Sequence, residues 1–315
     1  MVARARACHS GRMTPPHRFR LALPLALMAG SPLLIGAAPA FDPPPFAHWI
    51  DGTTASEPEM QVQQVNADTF VIRQSVKTNF EAPFLYLLFG QSGALLVDTG
   101  AGGLMVRPTV ERVIAQWRQA HGNRPLHLTV AHSHSHGDHH AGDSEFAGRP
   151  DTTVVGLAPA DVASAFHVAD WPNGLGSLDL GGRVLRAIPT PGHQSAHVMI
   201  YDPQTRLLLS GDMLYPGRLY VPSNHFAEFR ASAHRLAAFA QTHPIRALLG
   251  AHIEMTTTPG QDYPMEAPTH PAEHGLALPP AAIADLVQTV DAMGDTPAKA
   301  VRPDFIVYPV EPRPN

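Results

Sequence analysis

The sequence predicts an α/β fold, in which short buried strands alternate with amphipathic helices. Two observations predict it. Most apolar runs are short, rich in Val, Ile and Leu, and bounded by Gly, Asp or Pro, as is typical of buried strands. Between two of these runs, apolar residues recur at helical spacing from Val106 to Trp117. This alternation favours a sheet-based enzyme domain over a helical bundle.

Each predicted element rests on such a run or on helical spacing, in chain order. The predicted strands cover residues 69–72, 84–89, 94–97, 126–130, 184–188, 197–201, 206–209 and 246–249. The predicted helices cover residues 106–117, 229–242 and 281–293. We expect the last helix to cover a sheet surface rather than to carry function.

Residues 1–40 have the pattern of a secretory signal peptide. They contain five arginines and no acidic residue, become almost wholly apolar from Leu21, and end in Ala38-Pro39-Ala40. A basic start, an apolar centre and an Ala-x-Ala end predict export with cleavage after Ala40. Met13 is an alternative start, since the residues before it add nothing to this pattern. An uncleaved membrane anchor is the alternative, although two prolines and the small-residue end disfavour it.

The remainder of the chain is predicted to form one large domain over 61–315, preceded by an N-terminal extension over 41–60. The extension is rich in Pro and polar residues, and we expect it to wrap the surface or to be partly mobile. The single cysteine, Cys8, lies in the leader, so no disulfide is expected in the mature protein.

The charge of the mature chain argues against a nucleic-acid partner. The full chain has 22 Lys and Arg against 27 Asp and Glu, and five of the arginines lie in residues 1–40, so the rest carries a net charge of −10. Lys77 and Lys299 are the only lysines. A nucleic-acid groove needs clustered basic residues. We therefore expect a small-molecule substrate, a periplasmic or secreted location, and no stable membrane association after cleavage.

One short segment combines three histidines with an aspartate, namely His134-Ser135-His136-Gly137-Asp138-His139. Imidazole nitrogens and carboxylates suit zinc and similar divalent metals. On an extended segment His134 and His136 point to the same side, so both can reach one ion. Asp138 and His139 follow the turn at Gly137 and can face a second ion. The spacing therefore predicts a site for two metal ions.

Further histidines flank this segment, and His-rich tracts can bind metal loosely without catalysis. Only His134 is followed by Asp four residues later and by His five residues later. Counting from His132 places His136 where the carboxylate should be. The register favours a specific site, and we expect His132 and His140 to support it or to face solvent.

Together with four other short motifs, the segment resembles the metallo-β-lactamase superfamily. These motifs are Asp98-Thr99-Gly100 at the end of a strand-like run, Thr190-Pro191-Gly192-His193, Ser210-Gly211-Asp212 and Gly250-Ala251-His252. They occur in the order that the family shows. The resemblance implies an αβ/βα sandwich of four layers, with two mixed β-sheets packed face to face and helices outside.

The resemblance also implies seven metal ligands in two groups that share one carboxylate. His134, His136 and His193 would hold the first metal, Asp138, His139 and His252 the second, and the Asp212 carboxylate would bridge both. Asp98 would fix the metal-binding loop through hydrogen bonds, as groups behind metal ligands do.

Two zinc ions in one site predict hydrolysis. Zinc lowers the pKa of bound water from about 15.7 to about 7, so a hydroxide held between the ions can attack an acyl or phosphoryl centre. Asp138 is expected to orient the nucleophile or to receive its proton. The ligands alone do not distinguish zinc from iron or manganese.

The bridging aspartate separates branches of the family. Gly211-Asp212 is similar to glyoxalase II and lactonases, whereas true β-lactamases usually carry Cys or Ser near that position. A counterpart of the glutathione-binding C-terminal region of glyoxalase II is not evident, and an exported enzyme suits that thioester poorly. The expected substrate contains a lactone, ester or β-lactam-like acyl bond.

Several residues beyond the ligands have two interpretations. Tyr215, Arg218 and Tyr220 follow Asp212 closely. A tyrosine hydroxyl near the metals can stabilise a developing oxyanion, and Tyr215 is the first candidate for this role. The alternative is that the three pack beneath a loop. Two later histidines, His270 and His274, are expected to lie on the surface rather than to bind metal.

Two other functions remain open. One is an iron-dependent redox enzyme of the same fold, which the identity of the bound metal would distinguish. The other is a non-catalytic exported metal-binding protein, which the full ligand set disfavours because a decayed site would lose at least one ligand.

Overall fold

The computed structural model describes residues 41–311, so the predicted signal peptide, residues 1–40, lies outside the described residues. The strands are β1 (Met60–Asn66), β2 (Thr69–Gln74), β3 (Phe84–Phe89), β4 (Gly93–Val97), β5 (His127–Ala131), β6 (Thr152–Val154), β7 (Gly176–Asp179), β8 (Val184–Pro189), β9 (Val198–Asp202), β10 (Leu207–Gly211), β11 (Arg218–Pro222), β12 (Ala247–Gly250), β13 (Ala277–Leu278), β14 (Ala300–Val301) and β15 (Ile306–Val310). The α-helices are α1 (Arg107–Ala120), α2 (Gly137–His140), α3 (Pro159–Ala165), α4 (Phe226–Thr242) and α5 (Ala281–Ala292).

Two six-stranded mixed sheets form the centre of the fold. The first has the order β1-β2-β3-β4-β5-β6, and the second has the order β13-β12-β10-β9-β8-β7. Strands β4, β5 and β6 are parallel to one another, as are β10 and β12, while the other pairs in these two sheets are antiparallel. A small third sheet has the order β11-β15-β14.

Alternating side chains divide the interior into layers. In β3, Phe84 and Tyr86 pack between the two large sheets, whereas Leu85 and Leu87 pack on the other face against α1. In β9 the same alternation sends one set of residues between the sheets and the other toward α4 and α5. Strands buried on both faces need apolar residues at every position. The four-layer αβ/βα sandwich is therefore confirmed.

All eight predicted strands and all three predicted helices are present, with ends shifted by a few residues. The sequence analysis missed β1, the short strands β6, β7 and β13, the short helices α2 and α3, and the whole third sheet. Strand β1 reads MQVQQVN and is largely polar because only one face is covered. In the third sheet, β15 contains Pro309, a residue that disfavours a strand prediction.

The N-terminal extension bonds to strand β1 and to the residue before β12, and its Trp49 is buried. The Ala47 backbone N–H donates to Gln63 Oε1 at 2.7 Å, and Gln63 Nε2 donates back to the Ala47 carbonyl at 3.0 Å. Arg246, just before β12, donates from Nε to the Asp42 carbonyl at 2.6 Å. Within residues 41–311, every helix is too short or too polar to cross a membrane.

The ends of five strands meet at one edge of the sandwich. Strands β4 and β5 are parallel, and β8 and β12 both run in the direction of β10. The two sheets are joined at this edge by main-chain hydrogen bonds, from Val198 N to Ser133 O and from Phe84 N to Ala251 O, each 2.8 Å long. Residues that follow these strands are therefore held close together.

Candidate metal centre

The predicted site residues all lie at this edge. Each follows the carboxyl end of a strand, either directly or through a short loop. Asp98 follows β4, His134 and His136 follow β5, Asp138 and His139 lie in α2, and His193, Asp212 and His252 follow β8, β10 and β12. A rigid sheet pair can hold groups from distant parts of the chain within the tolerance that a metal site demands.

The first cluster consists of His134, His136 and His193, which offer three nitrogens at close range. His134 Nε2 lies 2.9 Å from His136 Nδ1, and His193 Nε2 lies 3.2 Å from the former and 3.0 Å from the latter. His134 and His193 are buried, while His136 is half-buried and closes the cluster on the solvent side.

The second cluster consists of Asp138, His139, Asp212 and His252. Asp138 Oδ2 lies 3.1 Å from His139 Nε2 and 3.4 Å from His252 Nε2. The Asp138 side chain is 23% exposed, whereas the two histidines are buried. Asp138 is thus the member of this cluster that a substrate or a water molecule can reach.

The Asp212 carboxylate lies between the two clusters. Its Oδ2 is 3.6 Å from His193 Nε2 and 3.7 Å from His139 Nε2, and its Oδ1 is 3.5 Å from His252 Nε2. Within the described part of the chain, Oδ1 is buried without a hydrogen-bond partner. A buried, unpaired carboxylate oxygen is costly unless a cation lies beside it.

Groups behind the histidines determine which nitrogen faces the clusters. His193 Nδ1 lies 2.7 Å from the Tyr220 carbonyl, and His252 Nδ1 lies 2.7 Å from the Glu81 carbonyl. A carbonyl only accepts, so each Nδ1 carries a proton and each Nε2 is the ring atom that faces the cluster. This is the arrangement that a metal ligand requires.

Asp98 performs the same task for His139 and also fixes the loop before α2. Its carboxylate accepts hydrogen bonds from the Ser133 backbone N–H at 2.7 Å, from the Ser133 hydroxyl at 2.9 Å and from His139 Nδ1 at 2.9 Å. Asp98 has a φ of 68°, which Asp tolerates better than most residues. The loop therefore turns its carboxylate beneath the site.

Burial keeps the first cluster uncharged. Burial and the neighbouring His193 lower the pKa of His136 to about 4. Burial and four surrounding imidazoles hold the pKa of His134 well below its usual range. The three imidazoles are therefore uncharged, and a cation placed among them would meet no positive charge.

The second cluster has the opposite balance. Burial alone lowers the pKa of His252, yet Asp212 and Asp138 together raise it to about 10. Burial alone raises the pKa of Asp138, but His139 and His252 outweigh it and hold that pKa below its usual range. The carboxylates here favour any nearby positive charge, as a divalent cation would supply.

The residues present therefore fit a pair of divalent metal ions. The first cluster offers three neutral nitrogens, the second offers nitrogen and carboxylate oxygen, and the unpaired Asp212 oxygen lies between them. In each cluster the candidate ligand atoms lie within 4.8 Å of one another. Nitrogen with some oxygen donors suits zinc, and iron or manganese as well.

Tyr215 does not present its hydroxyl to the clusters. The hydroxyl is buried and donates to the Arg218 carbonyl at 2.5 Å, with Glu254 Oε2 at 3.0 Å, while the ring packs against His252. The Arg218 guanidinium is likewise occupied by Glu254 and Asp262. The Tyr215 hydroxyl and the Arg218 guanidinium are therefore both committed to contacts inside the protein, which favours the second of the two interpretations.

The expectation that His270 lies on the surface is wrong. It is 5% exposed, stacks on Tyr263 and contacts Glu273 Oε1 at 3.0 Å, because the loop after β12 folds back over it. His274 is half-buried and contacts Asp304. Neither residue joins the two clusters. His132 is buried and its Nε2 lies 2.8 Å from Asp143 Oδ1, so it does not face solvent.

Several groups at the site were not found from the sequence. Ser133, the Glu81 and Tyr220 carbonyls, and His197 all contact ligands. His197 is fully buried, and burial with the neighbouring His193 lowers its pKa to about 3. The only sign of His197 in the sequence was that a histidine stands four residues after His193.

The chain is similar in sequence to several known proteins. A sequence model of the metallo-beta-lactamase superfamily matches residues 79–252, which includes all seven candidate ligands. A hydroxyacylglutathione hydrolase from Rhizobium meliloti is 34% identical over 134 residues, or 41% of this chain and 50% of that protein. The human acyl-coenzyme A thioesterase MBLAC2 (Homo sapiens) is 26% identical over 206 residues, or 54% of this chain and 72% of that protein.

The chain spans about half the length of the hydroxyacylglutathione hydrolases that it matches. Among solved structures, a metallo-beta-lactamase from Pontibacter korlensis is 16% identical, with 74% of this chain and 99% of that chain covered and a TM-score of 0.49.

Proposed function

This chain belongs to the metallo-beta-lactamase superfamily, and we propose that it is an exported dinuclear zinc hydrolase that cleaves an acyl bond of a small molecule. The observation that carries this proposal is the buried Asp212 carboxylate, which lies between two clusters of candidate ligands with one oxygen unpaired. A carboxylate in that position can bind an ion in each cluster.

The first cluster would hold one zinc ion through His134, His136 and His193. The second would hold the other through Asp138, His139 and His252, with Asp212 shared. When bound, zinc would supply a water molecule with a pKa of about 7 and a positive charge to polarise the substrate carbonyl. The chain contributes rigid positions, neutral imidazoles and carboxylates in fixed orientations.

Asp138 is the residue that moves a proton in this proposal. Its side chain is the partly exposed carboxylate of the second cluster, and its Oδ2 is held by His139 and His252. From there it orients the attacking water, receives its proton and returns that proton to the leaving group. Tyr215 takes no part, because its hydroxyl donates to the Arg218 carbonyl.

The substrate class rests on the ligand pattern and on the relatives. The curated relatives named above are a hydroxyacylglutathione hydrolase and an acyl-coenzyme A thioesterase, so both cleave acyl bonds. We propose lactone, ester or β-lactam-like bonds for this chain, and thioesters form the natural fourth arm of any test. Zinc is proposed over iron because hydrolysis needs no change of oxidation state.

The experiment is turnover of zinc-loaded protein on matched lactones, esters, β-lactams, thioesters and phosphodiesters. Asp212→Ala is the control, because it removes the shared carboxylate and leaves the sheets intact. We expect one acyl class to be hydrolysed and the Asp212→Ala variant to lose that activity. Metal analysis of the same samples should give two zinc ions in the unaltered protein.

Two outcomes would overturn the proposal. Unchanged turnover by Asp212→Ala would remove the shared carboxylate from the mechanism. A protein that holds two ions but cleaves none of the acyl substrates would favour the iron-dependent or the non-catalytic alternative.

Export is proposed separately, from residues 1–40. Cells that express the full chain should carry the protein outside the cytoplasm, with Phe41 at its N-terminus. A cytoplasmic protein that retains its first forty residues would contradict the proposal.

A further inference from the structure

His197 is a buried histidine beside both clusters that belongs to neither. It is fully buried, and its ring centre lies 5.4 Å from that of His134. Its Nε2 lies 3.2 Å from the backbone nitrogen of Asp212, and its Nδ1 lies 2.8 Å from the Thr190 hydroxyl. Both nitrogens of this buried ring therefore have hydrogen-bond partners.

The protonation of His197 follows from its partners. A backbone N–H can only donate, so Nε2 must accept the bond from Asp212 and carry no proton. The proton then lies on Nδ1, which donates to the Thr190 hydroxyl. Thr190 is itself held by its backbone N–H, which donates to the His197 carbonyl at 2.9 Å. The ring is therefore held from both sides in one orientation.

The turn that carries Asp212 is shaped around this ring. Gly211 has a φ of 51°, and a Cβ atom there would lie 2.7 Å from His197 Nε2 and 2.9 Å from Ser133 Cβ. On the other side, the Ala251 backbone N–H donates to the Gly211 carbonyl at 3.1 Å. Glycine thus allows the close approach, and His197 and β12 fix the turn between them.

We propose that His197 is a positioning residue that holds the shared Asp212 carboxylate between the two metal ions, by accepting the Asp212 backbone N–H. This inference rests on the proposed function, because it assigns a role toward the metals proposed there. An apolar residue at position 197 would leave the buried N–H unpaired, and such groups are rare in folded proteins. The turn would then move to find a partner, and the carboxylate would move with it.

The test uses cobalt(II) as the probe, added to the metal-free full chain and followed by its visible absorption and by chelator competition. His197→Leu removes the acceptor, and His197→Gln keeps an amide oxygen near the position of Nε2. We expect His197→Leu to bind both ions about 10- to 100-fold more weakly, as loss of a group behind a ligand typically does. His197→Gln should restore most of that affinity and the absorption bands of the unaltered protein.

Leu208→Ala is the matched control for a general loss of stability. Leu208 is fully buried in β10 and packs on the helical side of the sheet, away from the clusters. It should lower the melting temperature of the metal-free protein as much as His197→Leu does, yet leave cobalt affinity unchanged. This difference separates positioning from mere packing.

The outcomes distinguish this inference from the function on which it rests. If the unaltered protein binds two ions and His197→Leu binds them equally well, the positioning role is wrong while the proposed function stands. Equal losses of affinity in His197→Leu and Leu208→Ala, or no rescue by His197→Gln, would also overturn it. An unaltered protein that binds no divalent ion would refute the proposed function and this inference together.

Discussion

Replacing Asp98 with Asn changes one oxygen of a buried carboxylate to an NH₂ group and keeps the shape of the side chain. Asp98 Oδ1 accepts the Ser133 backbone N–H, and Oδ2 accepts both the Ser133 hydroxyl and His139 Nδ1. In Asp98→Asn the amide oxygen must keep the backbone N–H. The NH₂ group then faces His139 Nδ1, which has to accept instead of donate. The proton of His139 moves to Nε2.

That proton arrives at the atom that faces the second cluster. His139 Nε2 lies 3.1 Å from Asp138 Oδ2 and 3.7 Å from Asp212 Oδ2. A protonated nitrogen cannot bind a metal ion, so binding must first break the new hydrogen bond. Loss of such support typically weakens metal affinity about 10- to 100-fold, or about 1.4 to 2.8 kcal/mol. The fold should survive, since Asn also tolerates the φ of 68° at this position.

The assay is chelator competition on the metal-free protein, with its melting temperature measured alongside. In Asp98→Asn we expect the ion of the second cluster to be weakened and that of the first to be little changed. Asp143→Asn is the matched control, because Asp143 contacts His132 Nε2 at 2.8 Å and His132 joins neither cluster. Two ions bound to Asp98→Asn with unaltered affinity, or equal losses in both variants, would refute the reasoning.

Three further variants test other parts of the structure. His252→Ala should lower the metal content toward one ion per chain, and two ions held with unaltered affinity would show that His252 is not a ligand. Tyr215→Phe should lower the free energy of unfolding by about 1–2 kcal/mol and leave kcat/KM nearly unchanged, because its hydroxyl is committed inside the protein; a large loss of kcat/KM with full stability would give it a catalytic role. Asp202→Asn breaks a buried ion pair with Arg183, 2.6 Å between Oδ2 and Nη2, and should cost about 3–5 kcal/mol at neutral pH. Burial alone raises the pKa of Asp202, but Arg183 outweighs it and lowers that pKa. The pair therefore stabilises the fold fully above the pKa of Asp in the unfolded chain, about 3.9, and this contribution is lost as the pH falls through the lower pKa of Asp202 in the folded protein. Urea unfolding should show the difference between unaltered protein and Asp202→Asn narrowing below about pH 4, and a difference constant with pH would contradict this.

The central layers of the fold were predictable because the central strands of both large sheets are buried on both faces. Strands such as β3 and β10 are continuous apolar runs that end at Gly, Asp or Pro, so their existence and approximate ends follow from the sequence. The third sheet was not predictable. Strands β11 and β15 pair residues that are 88 positions apart in the chain, Arg218↔Ile306 and its neighbours, and only the folded chain brings them together.

The candidate ligands were predictable for a different reason, which also explains what was missed. Histidine and aspartate are recognisable in a sequence as metal-binding residue types, and His134, His136, Asp138 and His139 lie within one short segment. The groups that orient them include the backbone carbonyls of Glu81 and Tyr220, and every residue has a carbonyl. A sequence therefore carries no sign of which carbonyl faces a ligand. It follows that a chain can keep all seven ligand residues and still lose metal affinity when the loop that carries Glu81 moves. Binding of both ions is thus a property of these loops as much as of the ligands, and substitutions near Glu81 that leave every histidine in place should weaken the second cluster first.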